Sequence, residues 1–82
     1  MTSFTRKQDW LSTRVSEYED AALIEMFSAA LDHLDNGYLS EGLLLSLERE
    51  YRRQTNGGVV NSLRDVENAV TIELAIRYCE NR

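Results

Sequence analysis

Residues 32–39, DHLDNGYL, resemble an EF-hand calcium loop in their spacing. If Gly37 is placed at the sixth position of such a loop, Asp32 is at the first. Leu34 then occupies the third position, and Leu43 occupies the twelfth, where EF-hands carry a bidentate glutamate. Because leucine offers no oxygen ligand, we expect a helix-capping turn here and no calcium binding.

The remaining residue types that could do chemistry do not form a catalytic pattern. His33 and Cys79 are the only soft metal ligands, and they do not have the spacing of a zinc site. His33 is flanked by Asp32 and Asp35, but we expect it to interact with the negative end of a helix dipole. Gly57-Gly58 is not followed by the Lys-Ser/Thr of a phosphate-binding loop. The sequence therefore predicts no enzyme, no metal and no cofactor.

Acidic residues are concentrated in one part of the chain. The whole chain has a net charge of −5, and the 21 residues 16–36 contain six acidic residues and no lysine or arginine. Such a bias indicates either a solvated helix face or a surface that meets a basic partner. We expect a protein partner to bind this acidic face, through Glu17, Asp20, Glu25 and Asp32.

The one local basic group is Arg49, Arg52 and Arg53. These arginines are candidate contacts to nucleic acid, and a dimer would double the patch. The net negative charge of the chain opposes attraction to phosphate, which supplies most nonspecific affinity for DNA. The charges therefore favour a protein partner over DNA.

Three helices are expected to position these side chains, and the first runs from about 17 to 35. Ser16 and Glu19 have the spacing of a capping box, and Asn36-Gly37 supplies the residues that end a helix. At about 100° per residue, apolar side chains fall within about 60° of Phe27. They predict a core-facing stripe of Leu23, Ile24, Phe27, Ala30, Leu31 and Leu34.

The second helix is predicted at about 41–54. Ser40 is its expected N-cap, and Leu39 and Leu44 occupy the two positions of a hydrophobic staple. The residues 55–58, TNGG, break the helical pattern. The inner face of this helix is predicted to consist of Leu43, Leu44, Leu47 and Tyr51.

The third helix is predicted to begin near Ser62, with Asp65 as the second half of a capping box, and to continue to Arg77 or beyond. It carries two neighbouring apolar stripes, whereas one stripe suffices to pack against a helical hairpin. A second copy of the chain is the simplest cover for the other stripe, so we expect a homodimer. The predicted seam comprises Ala69, Ile72, Glu73, Ile76 and Arg77.

The predicted domain organisation is one all-α domain at 16–82, a helical hairpin plus a long third helix. Residues 1–15 lack a sustained apolar stripe and are expected to be flexible or lightly docked, with Trp10 as an anchor. Cys79 is the single cysteine, which is typical of a reducing compartment. No apolar run approaches the roughly 20 residues of a membrane span. We therefore expect a cytoplasmic protein that does not associate with membranes.

Two stretches of the sequence resemble a known family. They are EDAALIEMFSAALDHLDNGYLSEGLLLSLERE and, after a Gly-Gly loop, VENAVTIELAIRY. Over residues 17–80 the order of these segments resembles the small enteric biofilm-development proteins, also described as two-component-system connectors, of the AriR or YmgB type. The most informative parts are LLLSLE at 43–48 and DVENAVTIELAIRY at 65–78.

The resemblance implies an all-helical homodimer without catalytic activity. It implies a regulatory protein that affects biofilm formation, acid resistance and two-component signalling by binding other regulators. The family is similar in shape to the Hha group of nucleoid-associated modulators, so a DNA-associated role is one alternative. A phage-type inhibitor, whose acidic helix mimics nucleic acid, is another.

Overall fold

The computed structural model describes residues 6–39 and 41–81, and the regular structure of these residues is entirely α-helical. The predicted all-α fold class is confirmed. The described residues form four helices, however, and not the three that were predicted. The helices are α1 (Trp10–Ser16), α2 (Asp20–Asn36), α3 (Leu43–Gln54) and α4 (Ser62–Glu80).

The additional helix, α1, lies in the segment that was expected to be flexible or lightly docked. The side chain of Asp9 caps it by accepting a 2.8 Å hydrogen bond from a backbone N–H of the first turn. Leu11 and Val15 are four residues apart, so they share a face, and both are buried in the core. Trp10 also packs against the core and stacks on Tyr51. The segment is therefore part of the fold from α1 onwards, while residues 1–5 lie outside the described residues.

The beginning of α2 differs from its prediction, and its end agrees. Ser16 is the last residue of α1, where its hydroxyl donates to the carbonyl oxygen of Thr13. The predicted Ser16–Glu19 capping box is therefore wrong, and Glu19 is an N-cap without a side-chain hydrogen bond. At the other end, Gly37 adopts the left-handed conformation with φ of 68° and donates its N–H to the carbonyl of His33. The predicted glycine C-cap is confirmed.

The beginnings of α3 and α4 lie close to their predicted positions. α3 begins at Leu43, two residues later than predicted, and its predicted cap, Ser40, lies outside the described residues. α4 begins at Ser62 as predicted, but Asn61 is the N-cap, and its side chain accepts a backbone hydrogen bond. The hydroxyl of Ser62 donates instead to the carboxylate of Glu48, which joins α4 to α3.

The core forms around α4, which contacts each of the other three helices. Every helix contributes two buried apolar side chains, and complete burial of such a side chain stabilises the fold by about 1.5–3 kcal/mol. These side chains are Leu11, Val15, Leu23, Met26, Leu44, Leu47, Val66 and Val70.

The buried face of α2 is rotated relative to the predicted one. Leu23 and Met26 are completely buried, so the face that packs is centred about 70° away from Phe27. Ile24, Leu31 and Leu34, predicted to face the core, are 57%, 47% and 80% exposed. Both α3 and α4 contact α2, and together they cover only one side of its wide apolar arc.

A buried carboxylate connects α4 to the N-terminal segment. Glu73 is only 2% exposed, and both of its oxygens accept hydrogen bonds from Arg6, at 2.7 and 2.9 Å. Arg77 donates a further bond of 2.8 Å to Glu73. Arg77 also donates to the carbonyl oxygens of Ser16 and Tyr18, where α1 ends.

These contacts determine the ionisation of Glu73. Burial by itself raises the pKa of the Glu73 carboxyl. The hydrogen bonds and positive charges of Arg6 and Arg77 together outweigh burial, so the pKa of Glu73 lies below its usual range. The folded protein therefore favours the ionised carboxylate more strongly than the unfolded chain does.

We predict that Leu11→Ala lowers the free energy of unfolding by about 2–3 kcal/mol, because it leaves a cavity where α1 meets the core. Thr13→Ala, on the exposed side of the same helix, should change it by less than about 0.5 kcal/mol. Urea denaturation followed by circular dichroism measures both. Equal and negligible effects would show that α1 is only lightly docked.

We predict that Glu73→Gln lowers the free energy of unfolding by about 2 kcal/mol at pH 7, because two arginines lose charge-assisted hydrogen bonds. Since the folded pKa of Glu73 is depressed, its contribution is complete above the ordinary glutamate pKa of about 4.3 and is lost as the pH falls through the folded value. The difference from wild type should therefore shrink below about pH 4.

Urea denaturation from pH 7 to pH 3 measures this difference. The matched control is Glu80→Gln, since Glu80 is an exposed residue that lies 3.3 Å from the same Arg6. It should change the free energy of unfolding by less than about 0.5 kcal/mol. A Glu73→Gln effect that is the same at every pH would contradict the assignment.

Candidate partner-binding surface

A line of apolar side chains runs along the exposed side of α2. Ile24, Phe27, Leu31 and Leu34 are spaced by three, four and three residues, which places them on one face of a helix. Phe27 is half-buried, and the other three are exposed. We call these four residues the α2 stripe. Single exposed leucines are ordinary on protein surfaces, whereas a contiguous apolar patch marks an interaction site.

The α2 stripe forms one wall of a surface groove between α2 and α4, with a volume of about 550 Å³. Apart from His33, the α2 wall is apolar and consists of Ala30 together with three members of the stripe. The α4 wall is mixed, with Leu63 beside Arg64, Glu67 and Thr71. We call this feature the α2–α4 groove. Its size and apolar wall suit the side chains of a docked helix.

A polar pair joins the two walls of the groove. Nδ1 of His33 lies 3.1 Å from Oε2 of Glu67, and both side chains are partly buried. His33 lies in the last turn of α2, where a helix-dipole interaction was predicted, but the sequence analysis missed its contact with α4. The two residues are 34 positions apart, so no local sequence signal indicates this pair.

Exposed acidic residues lie on the side of α2 away from α4, and one of them, Asp35, is next to the α2 stripe. Glu25 and Asp32 are seven residues apart, about two turns, and both are exposed. Asp35, which is not among the predicted acidic site residues, is also exposed and lies closest around the helix to Ile24. None of these three carboxylates forms an ion pair with a described residue. We call Glu25, Asp32 and Asp35 the acidic border.

The other two predicted acidic residues lie elsewhere. Glu17 lies in the connection between α1 and α2 and pairs with Arg14 at 3.5 Å. Asp20 is the first residue of α2 and lies 2.6 Å from Arg77. The structure therefore brings together Glu25 and Asp32, while Glu17 and Asp20 pair with arginines of the same chain.

The three candidate DNA-contacting arginines lie together around a shallow depression beside Gly57. Arg49 pairs with Glu41 at 3.0 Å, and Arg52 pairs with Glu48 at 2.9 Å. Arg53 has no ion-pair partner among the described residues. The intramolecular carboxylates therefore reduce the positive charge that this cluster presents.

The predicted dimer seam on α4 is largely occupied by the chain itself. Glu73 and Arg77 pair with each other and with groups near α1, as described above. Ala69 and Ile76 are half-buried, and with Ile72 they line a cavity of about 170 Å³ beneath Arg6. Ile72 is the exposed member of the set. The second stripe of α4 is thus partly covered by α1 and by Arg6 and Lys7, a cover that was not predicted.

Neither a metal-binding cluster nor a membrane-spanning helix occurs in the part of the chain that the structure describes. No three His, Cys, Asp or Glu side chains in this part of the chain lie close enough together to hold a metal ion. Cys79 is exposed and free. Within the same residues, no helix combines the length and apolarity needed to cross a membrane.

The fold and this surface define a small all-α domain with an apolar groove and an acidic border. Comparison of the chain with protein-family models, with curated proteins and with solved structures finds no match. The resemblance to the biofilm-development connectors therefore stays a prediction.

One sequence signal could have revealed the exposed stripe. The apolar residues of α2 from Met26 round to Ile24 span about 160° of the helix, which is wider than one packed face needs. The predicted core-facing stripe is centred on Phe27 and does not include Met26.

We predict that Leu34→Ala changes the free energy of unfolding by less than about 0.5 kcal/mol, because this side chain is 80% exposed. The matched substitution Leu23→Ala, on the buried side of the same helix, should cost about 2–5 kcal/mol. Thermal or urea denaturation distinguishes the two. Comparable losses for both variants would show that the α2 stripe belongs to the core.

Proposed function

We propose that this protein is a non-enzymatic regulator that acts by binding another protein through the exposed side of α2. The observation that carries the proposal is the α2 stripe, an exposed apolar surface on a helix whose exposed carboxylates Glu25, Asp32 and Asp35 have no ion-pair partner among the described residues. Apolar area supplies affinity for a protein partner, while the neighbouring charges govern encounter and orientation.

The regulatory setting is proposed from the sequence resemblance. The segments at 43–48 and 65–78 resemble the biofilm-development connectors, and support a role in biofilm formation, acid resistance and two-component signalling in the cytoplasm. The partner in that setting is a regulatory or signalling protein. No cofactor is required for such a role.

DNA association is the alternative that the arginine cluster favours, because Arg49, Arg52 and Arg53 lie around one depression. Two of the three already pair with carboxylates, and the chain carries a net charge of −5.

A phage-type inhibitor would use the acidic border as a mimic of nucleic acid. The neighbouring genes distinguish these roles. Stress-regulation genes beside this gene would favour the connector, and phage structural genes would favour the inhibitor.

Homodimer formation is a separate proposal. Of the predicted seam, Ile72 is the residue that the structure leaves exposed, at 53%. Ile72→Glu should therefore shift a dimer to monomer without unfolding the protein. In the monomer the new carboxylate would face solvent, whereas in a dimer it would be buried between the two chains. Sedimentation at tens of micromolar measures this, and a wild-type monomer would remove the proposal.

We predict that reversing Glu25 and Asp32 to lysine slows association with the partner and weakens the dependence of association on salt. Both side chains are exposed, so the variant should remain folded. The comparison variant replaces Arg49, Arg52 and Arg53 with alanine. Quantitative pull-downs from the native host should show a protein that the lysine variant loses and the alanine variant retains.

The wild-type protein, the lysine variant and the alanine variant are also compared in a gel-shift assay with duplex DNA at physiological salt. We expect weak DNA binding by the wild-type protein and stronger binding by the lysine variant, because the added lysines attract phosphate. Tight DNA binding that the alanine substitutions abolish, together with unchanged partner capture by the lysine variant, would overturn the proposal in favour of the DNA-associated role.

A further inference from the structure

We infer that the cavity of about 170 Å³ between α1, α4 and the residues before α1 binds a small organic carboxylate with an apolar body. We call this feature the α1–α4 cavity. It lies on the opposite side of α4 from the α2–α4 groove, so the inference is independent of the proposed function. Three observations support it: the size and apolar lining of the cavity, the cations beside it, and the balance of their charges.

The α1–α4 cavity has the size and the lining of a site for one ring or a short alkyl chain. Its apolar lining comes from Val15 of α1 and from Ala69, Ile72 and Ile76 of α4. An apolar cavity of about 150 Å³ is large enough to hold a benzene ring. Because apolar walls offer water few hydrogen bonds, an apolar group gains affinity by displacing water from them.

Two cationic side chains line the same cavity, Arg6 and Lys7. Lys7 forms no ion pair with a described residue. Hydrogen bonds from Ser12 are the main cause of the lowered pKa of Asp9, and the charge of Lys7 adds less. Arg6 is paired with Glu73, but its Nη1 has no hydrogen-bond partner among the described residues. Both cations can therefore donate to a carboxylate, and such charge-assisted hydrogen bonds are strong.

The balance of charges around the cavity favours a monoanion. Arg6 and Lys7 are positive and the ionised Glu73 is negative, so the lining keeps one net positive charge in a chain whose net charge is −5. Asp9 and Asp65 line the neighbouring depression and not this cavity. A carboxylate carries one negative charge, whereas a phosphate monoester carries about 1.5 to 2 at pH 7 and would add repulsion from Glu73. An amine would be repelled by the cations.

A ligand in the α1–α4 cavity would join two parts of the fold. The cations precede α1 in the chain, while most of the apolar lining belongs to α4. A bound carboxylate would therefore stabilise the docking of the N-terminal segment on α4, in addition to the contact between Arg6 and Glu73.

The experiment titrates the isotope-labelled full chain with phenylacetate and follows two-dimensional NMR spectra. We expect saturable shifts of amides around the α1–α4 cavity, with a Kd in the millimolar range or tighter. Phenylacetamide has the same shape without the charge and should bind about fivefold more weakly. Acetate has the charge without the ring and should bind at least about tenfold more weakly.

Substitutions in the protein assign the binding to the cavity. Lys7→Gln should weaken binding of phenylacetate about fivefold, and because Lys7 is exposed the variant should remain folded. The matched control is Arg53→Gln, which removes one positive charge that also has no ion-pair partner among the described residues and should leave binding unchanged. Ala69→Leu should fill part of the cavity and weaken binding at least about tenfold. Circular dichroism confirms that each variant is folded.

Four outcomes would overturn the inference. They are the absence of saturable shifts, equal binding of phenylacetamide and phenylacetate, equal losses for Lys7→Gln and Arg53→Gln, and shifts confined to the α2–α4 groove. If Ala69→Leu does not fold, the comparison between Lys7→Gln and Arg53→Gln decides the question.

Discussion

The carboxylate of Glu73 is buried in the protein, and a charge in that position requires cations beside it. Arg6 supplies one cation from the N-terminal segment, and Arg77 supplies another from one turn further along α4. Arg77 also donates to backbone carbonyls at the end of α1 and pairs with Asp20, where α2 begins. One buried charge therefore specifies how the N-terminal segment, the α1–α2 connection and α4 meet.

That arrangement decides which apolar surfaces are covered. Because α1 packs on α4, Leu11 and Val15 enter the core, and Ala69 and Ile76 of the second α4 stripe are half-buried next to Arg6 and α1. α2 packs through Leu23 and Met26. No further helix among the described residues covers the other side of α2, so the α2 stripe faces solvent.

The ion pairs also determine which charges of the described residues remain without an internal partner. Most of the cationic groups are paired internally, whereas the acidic border has no partner among the described residues; the paired arginines are Arg6, Arg14, Arg49, Arg52 and Arg77. The surface that remains for external contacts is therefore more negative around α2 than the composition alone indicates. The exposed apolar stripe and the unpaired carboxylates of α2 together have two properties that a specific protein contact needs. Apolar area is buried in the contact, and negative charge favours a basic partner.

The sequence by itself determined the helical class, the end of α2 at Gly37 and the position of α4, because periodicity and capping are local properties. It also identified Glu25 and Asp32 as neighbours on one face. It did not reveal α1, since a seven-residue helix is too short to be stable from local propensity and depends on tertiary packing.

Packing also decided which half of the wide apolar arc of α2 became core, because periodicity marks the arc but not the helix that covers it. The contacts of Arg6 with Glu73 and of His33 with Glu67 join residues 67 and 34 positions apart. Only the tertiary structure could decide them, because a pairing between distant residues leaves no pattern in the sequence around either one.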